Sequence, residues 1–564
     1  RPGPRRRRTG LPAASTGGTA RIDPANARWD AESGRIEVVV APRRPATPAE
    51  RRAPPLIDRA PRGGGGQEGG VQGGGEQSRE AATLARLHAD GRAAGNWGDL
   101  YDNRDRGHSR ILPRRHPQLT FLTYGPEAAA EGFDYGLNLA LRFDRPTIGN
   151  SSTAITGPLW RSQARSALTR PGGPEALWGQ FAANHLYVYP EHRDHDPDRG
   201  DLFPANTPYM LVSQGSSGSD RPFLRALAVA LAALRPETKA RADAEGLIAP
   251  TLQAILRRAM AAGDDAATYM APESHPSAFD GARLDLGRVI RIANAIAPDA
   301  LPPAARLRVI TEREAAPGID LFGDGLGERL FDTPAAVARI ARAAGPRSYV
   351  LSAVDSFSPN GRPLRFHWRV LRAAPGQARL RLRDPDAREA VLEIAWAPPF
   401  VVPGAPALTS QRVDVALFAD DGGTLSAPAF LSVSFPPHET RVHDARGLPT
   451  SVDHADPAAR RRYADPLLHP ARDWRDDFRH DASGRLLGWA RRRGDMTSEF
   501  TRHGFLVERA DVLGRPVLAR AVRYPVEEGP DGARAVRETV GEEFYEYRYD
   551  GPDDALGAVV RVAR

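Results

Sequence analysis

Residues 209–234 read YMLVSQGSSGSDRPFLRALAVALAAL, and this stretch decides how the first half of the chain is interpreted. Its opening residues, 209–213, predict a buried strand. Leu224, Leu227, Leu231 and Leu234 then recur at helical spacing and predict a helix over 222–234. The glycines and serines between them predict a tight turn, with Asp220 placed to cap the helix. Strand, turn and helix in this order are typical of an α/β domain.

The whole chain is too long for a single core, because domains usually close at about 100 to 200 residues. Among its 564 residues, 41% are hydrophobic, 54 are glycine and 51 are proline. We predict a multi-domain α+β protein with four parts. These are a disordered Arg-, Pro- and Gly-rich arm (1–96), an α/β-like domain (97–345), an immunoglobulin-like β-sandwich (346–437) and a C-terminal β-meander domain (438–564).

Local patterns refine this division. A strand at 35–40 in the arm could dock on a later domain, and 186–189 predicts a second strand of the α/β-like domain. Helices are predicted over 237–260, with an interruption near Gly246 and Pro250, and over 284–296. A further helix is predicted over 334–344, because Thr333 suits the N-cap and Pro334 the first helical position.

Charge and composition exclude several classes of protein. The 77 basic and 70 acidic residues leave a net charge of +7, and the signs alternate along the chain. A nucleic-acid binder gathers its charge on one face, so nucleic-acid binding is not expected. With no cysteine, thiol catalysis, disulfides and cysteine-bound metals are excluded. No apolar run approaches the roughly 20 residues of a membrane-spanning helix.

The third part carries a family resemblance. Residues 355–368, DSFSPNGRPLRFHW, and residues 412–423, RVDVALFADDGG, resemble the tryptophan strand and the penultimate strand of PKD or related immunoglobulin-like modules. The family's glycine-rich turn after the tryptophan is replaced here by Arg369–Arg372. The resemblance implies a sandwich, and an exported protein that is secreted, periplasmic or held at the cell surface.

The fourth part repeats Asp-x-x-Gly, beginning at Asp444, Asp481, Asp511 and Asp554. Residues 481–489, DASGRLLGW, and 549–551, YDG, resemble the YD repeats of RHS-type shell proteins. Their spacing is irregular, however, and a plain β-meander with glycine turns explains the same residues. We favour the meander.

An acidic loop is the first candidate site. Asp194, Asp196, Asp198 and Asp201 place oxygen donors around a glycine, a pattern that could wrap a Ca²⁺ ion. A solvated loop paired with neighbouring arginines is the alternative.

Imidazoles in the same region suggest a transition metal instead. His185, His192 and His195, completed by Glu191 or Asp194, could form a Zn²⁺ site that activates water. No His-Glu-x-x-His pattern is present, and calcium is favoured over zinc.

The Gly- and Ser-rich turn is the third candidate. Ser217 is the predicted nucleophile, with His192 or His195 as base and Asp220 or Asp194 as the group that orients it. Ser219 replaces the last glycine of a nucleophile elbow, so the motif is incomplete. The alternative is a simple tight turn.

Two more polar segments, 101–109 and 149–153, are candidates to converge on the same cleft. The sequence therefore predicts an exported hydrolase that acts on an extracellular or periplasmic polymer, carbohydrate or ester, with its site at 185–220. The competing hypothesis is a non-catalytic surface adhesion or scaffold protein with a structural cation in the acidic loop. The oligomeric state is not predicted.

Overall fold

The computed structural model describes residues 15–16, 18–40, 82–87, 98–116, 118–136, 139–151, 154, 161–192, 202–313, 326–403, 405–456 and 465–563. These residues form a mixed α/β protein with one mostly parallel sheet and several mostly antiparallel sheets. None of the helices in this part of the chain is both long and apolar enough to cross a membrane.

A parallel sheet forms the centre of the first domain. The strands of this domain are β1 (Ser15–Thr16), β2 (Thr19–Ile22), β3 (Ala27–Asp30), β4 (Arg35–Val38), β5 (Asp99–Asn103), β6 (Leu119–Tyr124), β7 (Leu141–Phe143), β8 (Thr147–Asn150), β9 (His185–Pro190) and β10 (Met210–Ser213). The main sheet has the order β1-β2-β6-β5-β8-β9-β10, and all its pairs except β1-β2 are parallel. A small sheet, β3-β4-β7, lies beside it.

Part of the predicted arm belongs to this domain. Strand β2 pairs with β6, and β4 pairs with β7, as expected for a docked strand at 35–40. Ala20, Ile22 and Val38 are buried in a shared core. Residues 18–40 are therefore part of the fold rather than a tether. Residues 82–87 form helix α1, with Leu84 and Leu87 in the main core.

Several of the helices contact strands of the parallel sheet, and others pack on those helices. After α1 they are α2 (Pro126–Ala130), α3 (Gln163–Thr169), α4 (Gly173–Ala182), α5 (Arg221–Ala233), α6 (Pro236–Ala244), α7 (Ile248–Met260), α8 (Ala266–Tyr269) and α9 (Leu286–Ala295). Helices α5 and α9 confirm the helices predicted over 222–234 and 284–296. The predicted helix over 237–260 is divided into α6 and α7 at Gly246, which has a positive φ of 71°.

The helix predicted at 334–344 is wrong. Thr333 and Pro334 instead form the turn of a hairpin between β12 (Arg329–Thr333) and β13 (Ala336–Ile340). The hydroxyl of Tyr209 accepts a hydrogen bond from the Ala335 N–H at 2.8 Å, and β13 pairs in parallel with a later strand. Sheet pairing and burial therefore override the helical propensity of this alanine-rich segment.

Two sheets form the middle unit. Besides β12 and β13, their strands are β11 (Arg308–Glu312), β14 (Arg347–Ser352), β15 (Arg365–Arg372), β16 (Ala378–Leu382), β17 (Glu389–Ile394), β20 (Val413–Asp420) and β21 (Ala429–Ser434), while β18 (Phe400–Val402) and β19 (Ala405–Ser410) form a separate pair. The orders are β11-β14-β17-β16 and β12-β13-β21-β20-β15. Both sheets contribute side chains to one core. Because β11 to β13 join these sheets, the unit begins before residue 346. Its PKD or immunoglobulin-like character remains a prediction.

A nine-stranded antiparallel sheet forms the last unit, as the meander prediction requires. Its strands are β22 (Thr440–His443), β23 (Pro449–Asp453), β24 (Arg475–His480), β25 (Leu486–Arg493), β26 (Met496–Thr501), β27 (Leu506–Ala510), β28 (Pro516–Arg523), β31 (Thr539–Arg548) and β32 (Ala558–Val562), with a side hairpin of β29 (Val526–Glu528) and β30 (Arg534–Val536). The glycines of the four Asp-x-x-Gly turns all have positive φ, and the aspartate side chains accept backbone N–H groups within the turns. The YD-repeat resemblance stays a prediction.

Candidate functional site

The order in which the chain adds strands to the parallel sheet reverses between β5 and β8. After β5 the chain adds β6 on one side, and it later returns to add β8 on the other. In open α/β sheets, ligands bind outside the carboxyl ends of the strands at such a switch point. The loops that follow β5 and β8 are therefore the first place to look for chemistry.

A buried amide joins two carboxylates at this edge. Asn150 ends β8, and its Nδ2 donates hydrogen bonds to Asp105 Oδ2 at 3.0 Å and to Asp220 Oδ2 at 2.6 Å. Asp105 follows β5, whereas Asp220 immediately precedes α5. All three side chains are almost completely buried. The structure thus brings together residues from the three segments that the sequence marked as candidates for one cleft.

The expected capping role of Asp220 is wrong. Its backbone is already helical, with φ −76° and ψ −24°, and its side chain makes no capping hydrogen bond. The carboxylate points to Asn150 instead. Burial raises the pKa of Asp220, and hydrogen bonds from Ser109 and Asn150 offset that effect in part. A carboxyl group with a raised pKa can hold a proton at a higher pH and can act as a general acid.

The loop that carries Asp105 and Ser109 is strained. Arg106 and Ser109 have φ values of 58° and 53°, and Gly107 lies between them at 98°. The side chain of Asn103 holds this loop: its Oδ1 accepts the N–H of Asp105, and its Nδ2 donates to the carbonyl of His108 at 2.9 Å. Left-handed non-glycine residues each cost about 1–3 kcal/mol and cluster at functional sites.

A second buried network supports β5. Asp102 accepts hydrogen bonds from the hydroxyls of Tyr124 at 2.6 Å and Tyr187 at 2.9 Å, and its Oδ2 lies 2.8 Å from Arg104 Nε. Burial raises the pKa of Asp102, while Arg104 and the two hydroxyls lower it in part. Tyr187 comes from β9 and crosses β8 at Gly149. A Cβ there would lie 2.3 Å from the Asp102 carbonyl oxygen and 2.4 Å from the Tyr187 ring.

The conformation of the Gly- and Ser-rich turn depends on two glycines and on contacts of Glu191 and Ser219. Gly215 and Gly218 have φ values of 119° and 102°, which favour glycine. Glu191, a predicted metal ligand, accepts a hydrogen bond from the Gly215 N–H. The hydroxyl of Ser219 lies 2.8 Å from that of Ser213. Ser217 is exposed, and it makes no hydrogen bond with any histidine of the described residues.

His185 lies at the start of β9, away from the Gly- and Ser-rich turn. It begins β9, whereas the turn follows the carboxyl end of the parallel neighbour β10. Its Nε2 accepts the backbone N–H of Phe143 at 2.9 Å, so the ring is buried as a hydrogen-bond acceptor. His192 lies just after β9, with φ 49°. His195, Asp194, Asp196, Asp198 and Asp201 lie outside the described residues.

Metal binding stays a prediction. In the described parts of the chain, no group of three or more His, Asp or Glu side chains is arranged to hold a metal ion. Asp105 and Asp220, together with the amide oxygen of Asn150, offer the hard oxygen donors that Ca²⁺ prefers. In the described structure, however, the Nδ2 of Asn150 rather than its oxygen faces both carboxylates.

Sequence reasoning did not single out Asp105 and Asn150. Both lie in segments that are rich in polar residues, and each follows or ends a buried strand. This position at a strand end is the feature of the sequence that could have identified them. What the sequence could not supply is the strand order that brings the ends of β5 and β8 together.

Comparison with known proteins assigns the chain to no family. No family model and no curated protein matches the chain. Among solved structures, a nucleoside hydrolase-related hypothetical protein from Saccharophagus degradans, described as associated with carbohydrate metabolism, aligns with 11% identity and a TM-score of 0.18. The alignment covers 56% of this chain and 66% of that protein, just under two thirds. A similarity at this level establishes neither a family nor an activity.

Proposed function

We propose that the chain is a hydrolase whose reaction takes place at the Asp105–Asn150–Asp220 cluster. The observation that carries the proposal is the single amide nitrogen of Asn150, which holds two buried carboxyl groups side by side at the switch point of the parallel sheet. Two such groups suit hydrolysis, because one can donate a proton to the leaving group while the other activates water.

The raised pKa of Asp220 supports different roles for the two groups. The raised pKa of Asp220 suits it to donate a proton to the leaving oxygen. Asp105, as the carboxylate, would accept a proton from the attacking water. Oδ1 of Asp220 and Oδ1 of Asn150 are buried without a hydrogen-bond partner among the described residues, and buried polar atoms of this kind are usually satisfied by water or a ligand.

The proposed substrate is an extracellular or periplasmic polymer, carbohydrate or ester. A carboxyl pair fits cleavage of a glycosidic bond or of an ester, and the two β-rich units offer surfaces that could hold a long substrate. Export, which the PKD resemblance implies, belongs to the same proposal. A Ca²⁺ ion bound by the acidic loop of Asp194, Asp196, Asp198 and Asp201 remains a separate proposal.

The test is a set of matched variants assayed on nitrophenyl glycosides, nitrophenyl esters and soluble polysaccharides. Asp220→Asn and Asp105→Asn should each lower kcat by about 10²–10⁴-fold, as expected for loss of a general acid or base. Asp299→Asn, which removes an exposed carboxylate, and Ser217→Ala should leave kcat within about twofold. Elemental analysis of the purified protein with and without a chelator tests the calcium proposal.

Three results would overturn the proposal. Full activity in both aspartate variants would move the chemistry elsewhere, and loss of activity in Ser217→Ala alone would restore the serine mechanism. Hydrolysis of no substrate in the panel, with all variants folded, would favour the adhesion or scaffold hypothesis.

A further inference from the structure

Three basic side chains lie buried together where the middle unit meets the last unit. Arg342 follows β13, His438 lies in the connection from β21 to β22, and His469 precedes β24. Only 4% of Arg342, 4% of His438 and 9% of His469 is exposed. The two imidazole rings have centroids 6.3 Å apart, and Arg342 Nη2 donates to the carbonyl of Leu468, the residue before His469, at 2.5 Å. These three side chains form the basic cluster.

Five nitrogen atoms of the basic cluster are buried without a hydrogen-bond partner among the described residues. They are Nε and Nη1 of Arg342, Nδ1 and Nε2 of His438, and Nδ1 of His469. A guanidinium nitrogen only donates, and every imidazole carries at least one N–H. Both atoms of Arg342 and one of His438 therefore carry hydrogens that lack an acceptor. Buried donors of this kind are usually satisfied by water or by an ion.

The charge of Arg342 has no carboxylate of its own among the residues that the structure describes. The neighbouring carboxylates are bound by other arginines: Glu328 by Arg347, Glu439 by Arg441 and Arg472, and Asp465 by Arg165. Glu328 does accept the backbone N–H of Arg342, at 2.8 Å, so it fixes the main chain there but leaves the guanidinium unpaired. The basic cluster therefore carries a buried positive charge that is not balanced locally.

The pKa values of the basic cluster reflect this imbalance. Burial and two neighbouring arginines lower the pKa of Arg342 to about 9, against the opposing charge of Glu439. Burial lowers the pKa of His438 to about 4, and burial and the charge of Arg342 hold the pKa of His469 well below its usual value. At neutral pH both imidazoles are therefore uncharged, and the cluster carries the single charge of Arg342.

A monatomic anion fits these properties better than water or a larger anion does. Water would accept the N–H groups, but it would leave the charge of Arg342 unpaired, and an unpaired buried charge is costly. One negative charge matches the one guanidinium. A halide ion also accepts hydrogen bonds from any direction, and it needs less space than phosphate where at most 9% of each side chain is exposed.

We infer that the basic cluster binds a chloride ion, which accepts N–H groups of Arg342 and His438 and joins the middle unit to the last unit. The inference is independent of the proposed hydrolase function, because the cluster contains none of the residues Asp105, Asn150 and Asp220.

Melting of the full chain at constant ionic strength tests the inference. Sodium chloride replaces sodium gluconate stepwise, because gluconate is too large for an enclosed site. The melting temperature should rise with the logarithm of the chloride concentration once the site begins to fill, since a ligand that binds only the folded state stabilises it. Bromide should act in the same way. Chloride NMR should show a line broadened by exchange with the bound ion, and bromide should narrow it by competition.

Matched variants locate the effect. Arg342→Met and His438→Phe remove N–H groups of the cluster while keeping most of the side-chain volume, and each should abolish both the rise in melting temperature and the excess width of the chloride line. The control Arg339→Met removes another buried arginine, which lies in β13 and is paired with Glu312 and Asp332. It should melt at a lower temperature but keep the full response to chloride. Arg388→Met, which removes an exposed charge, should behave like the native chain.

The inference is overturned if the native chain melts at the same temperature in chloride and in gluconate. It is also overturned if either Arg342→Met or His438→Phe keeps the native response to chloride. Stabilisation by phosphate but not by chloride would overturn the assignment of a monatomic anion.

Discussion

Asp220 and Asp476 are both buried carboxylates, yet their surroundings shift their pKa values in opposite directions. Around Asp220 the partners are an amide and a hydroxyl, and burial raises the pKa. Around Asp476 burial acts in the same sense, but the guanidinium of Arg491, bound through Nε at 2.7 Å and Nη2 at 2.9 Å, together with His454 holds the pKa below its usual value.

Glu439, another buried carboxylate of the last unit, also has a lowered pKa. Burial opposes the ionisation of Glu439, but Arg441, His454 and Arg472 hold its pKa well below the usual value. The comparison teaches that burial alone does not mark a reactive carboxylate. Arginines hold Asp476 and Glu439 in the ionised form, whereas Asp220, which has no arginine partner among the described residues, keeps a raised pKa and can exchange a proton.

The largest expected effect comes from breaking the arginine-held network. Arg491→Met leaves the buried Asp476 without its guanidinium and Glu538 with Arg493 alone, and removing one partner of a buried ion pair costs about 3–5 kcal/mol. Denaturant unfolding followed by the fluorescence of the buried Trp474 and Trp489 measures this loss. Arg479→Met, which breaks an exposed pair with Glu499, should cost less than about 1 kcal/mol. Equal effects of the two variants would contradict the structural role of the network.

A smaller effect is expected where Tyr187 crosses β8. Gly149→Ala places a Cβ against the Asp102 carbonyl and the Tyr187 ring, and overpacking of this kind costs about 1–3 kcal/mol. The free energy of unfolding of the first domain measures it. Gly345→Ala is the control, because a Cβ there meets no atom within 4 Å. An unchanged stability for Gly149→Ala would show that Tyr187 is not held against β8.

The ionised Asp220 should stabilise the folded state less than an uncharged asparagine at the same position. Because its folded pKa is raised, protonation favours the folded state, so its contribution to stability falls as pH rises from about 3.9, the value in an unfolded chain, through the folded pKa. Asp220→Asn should therefore raise the melting temperature at neutral pH.

The pH dependence separates this effect from a simple packing change. The gain of Asp220→Asn over the native chain should grow as pH rises above about 4. Glu439 and Asp476, with lowered pKa values, should stabilise the last unit above about pH 4 and lose that contribution as pH falls. A gain that is constant from pH 4 to 8 would argue against a titrating Asp220.

The smallest effect is expected at Ser217. Its side chain is exposed at the tip of the turn, so Ser217→Ala should change the free energy of unfolding by no more than about 0.5 kcal/mol. The paired variant Gly215→Ala, at a φ of 119°, should cost more because an L side chain is strained there. Thermal melting of both variants would show whether the turn depends on its glycines or on its hydroxyls.

The sequence by itself determined the elements whose periodicity is strong. The leucine spacing of α5, the apolar runs of β9 and β10 and the Asp-x-x-Gly turns of the last unit all follow from local side-chain patterns. It also marked Asp220 as a site residue, and the segments around Asp105 and Asn150 as polar.

Only the tertiary structure decided what these residues do. The pairing of β13 with β21 turned an alanine-rich segment from helix to strand, and the pairing of β2 with β6 drew residues 18–40 into the first domain. Strand order brought Asp105, Asn150 and Asp220 to one edge and carried His185 to the opposite one. The physical reason is that side-chain spacing fixes local conformation, whereas which strands become neighbours depends on the burial and backbone pairing available to the whole chain.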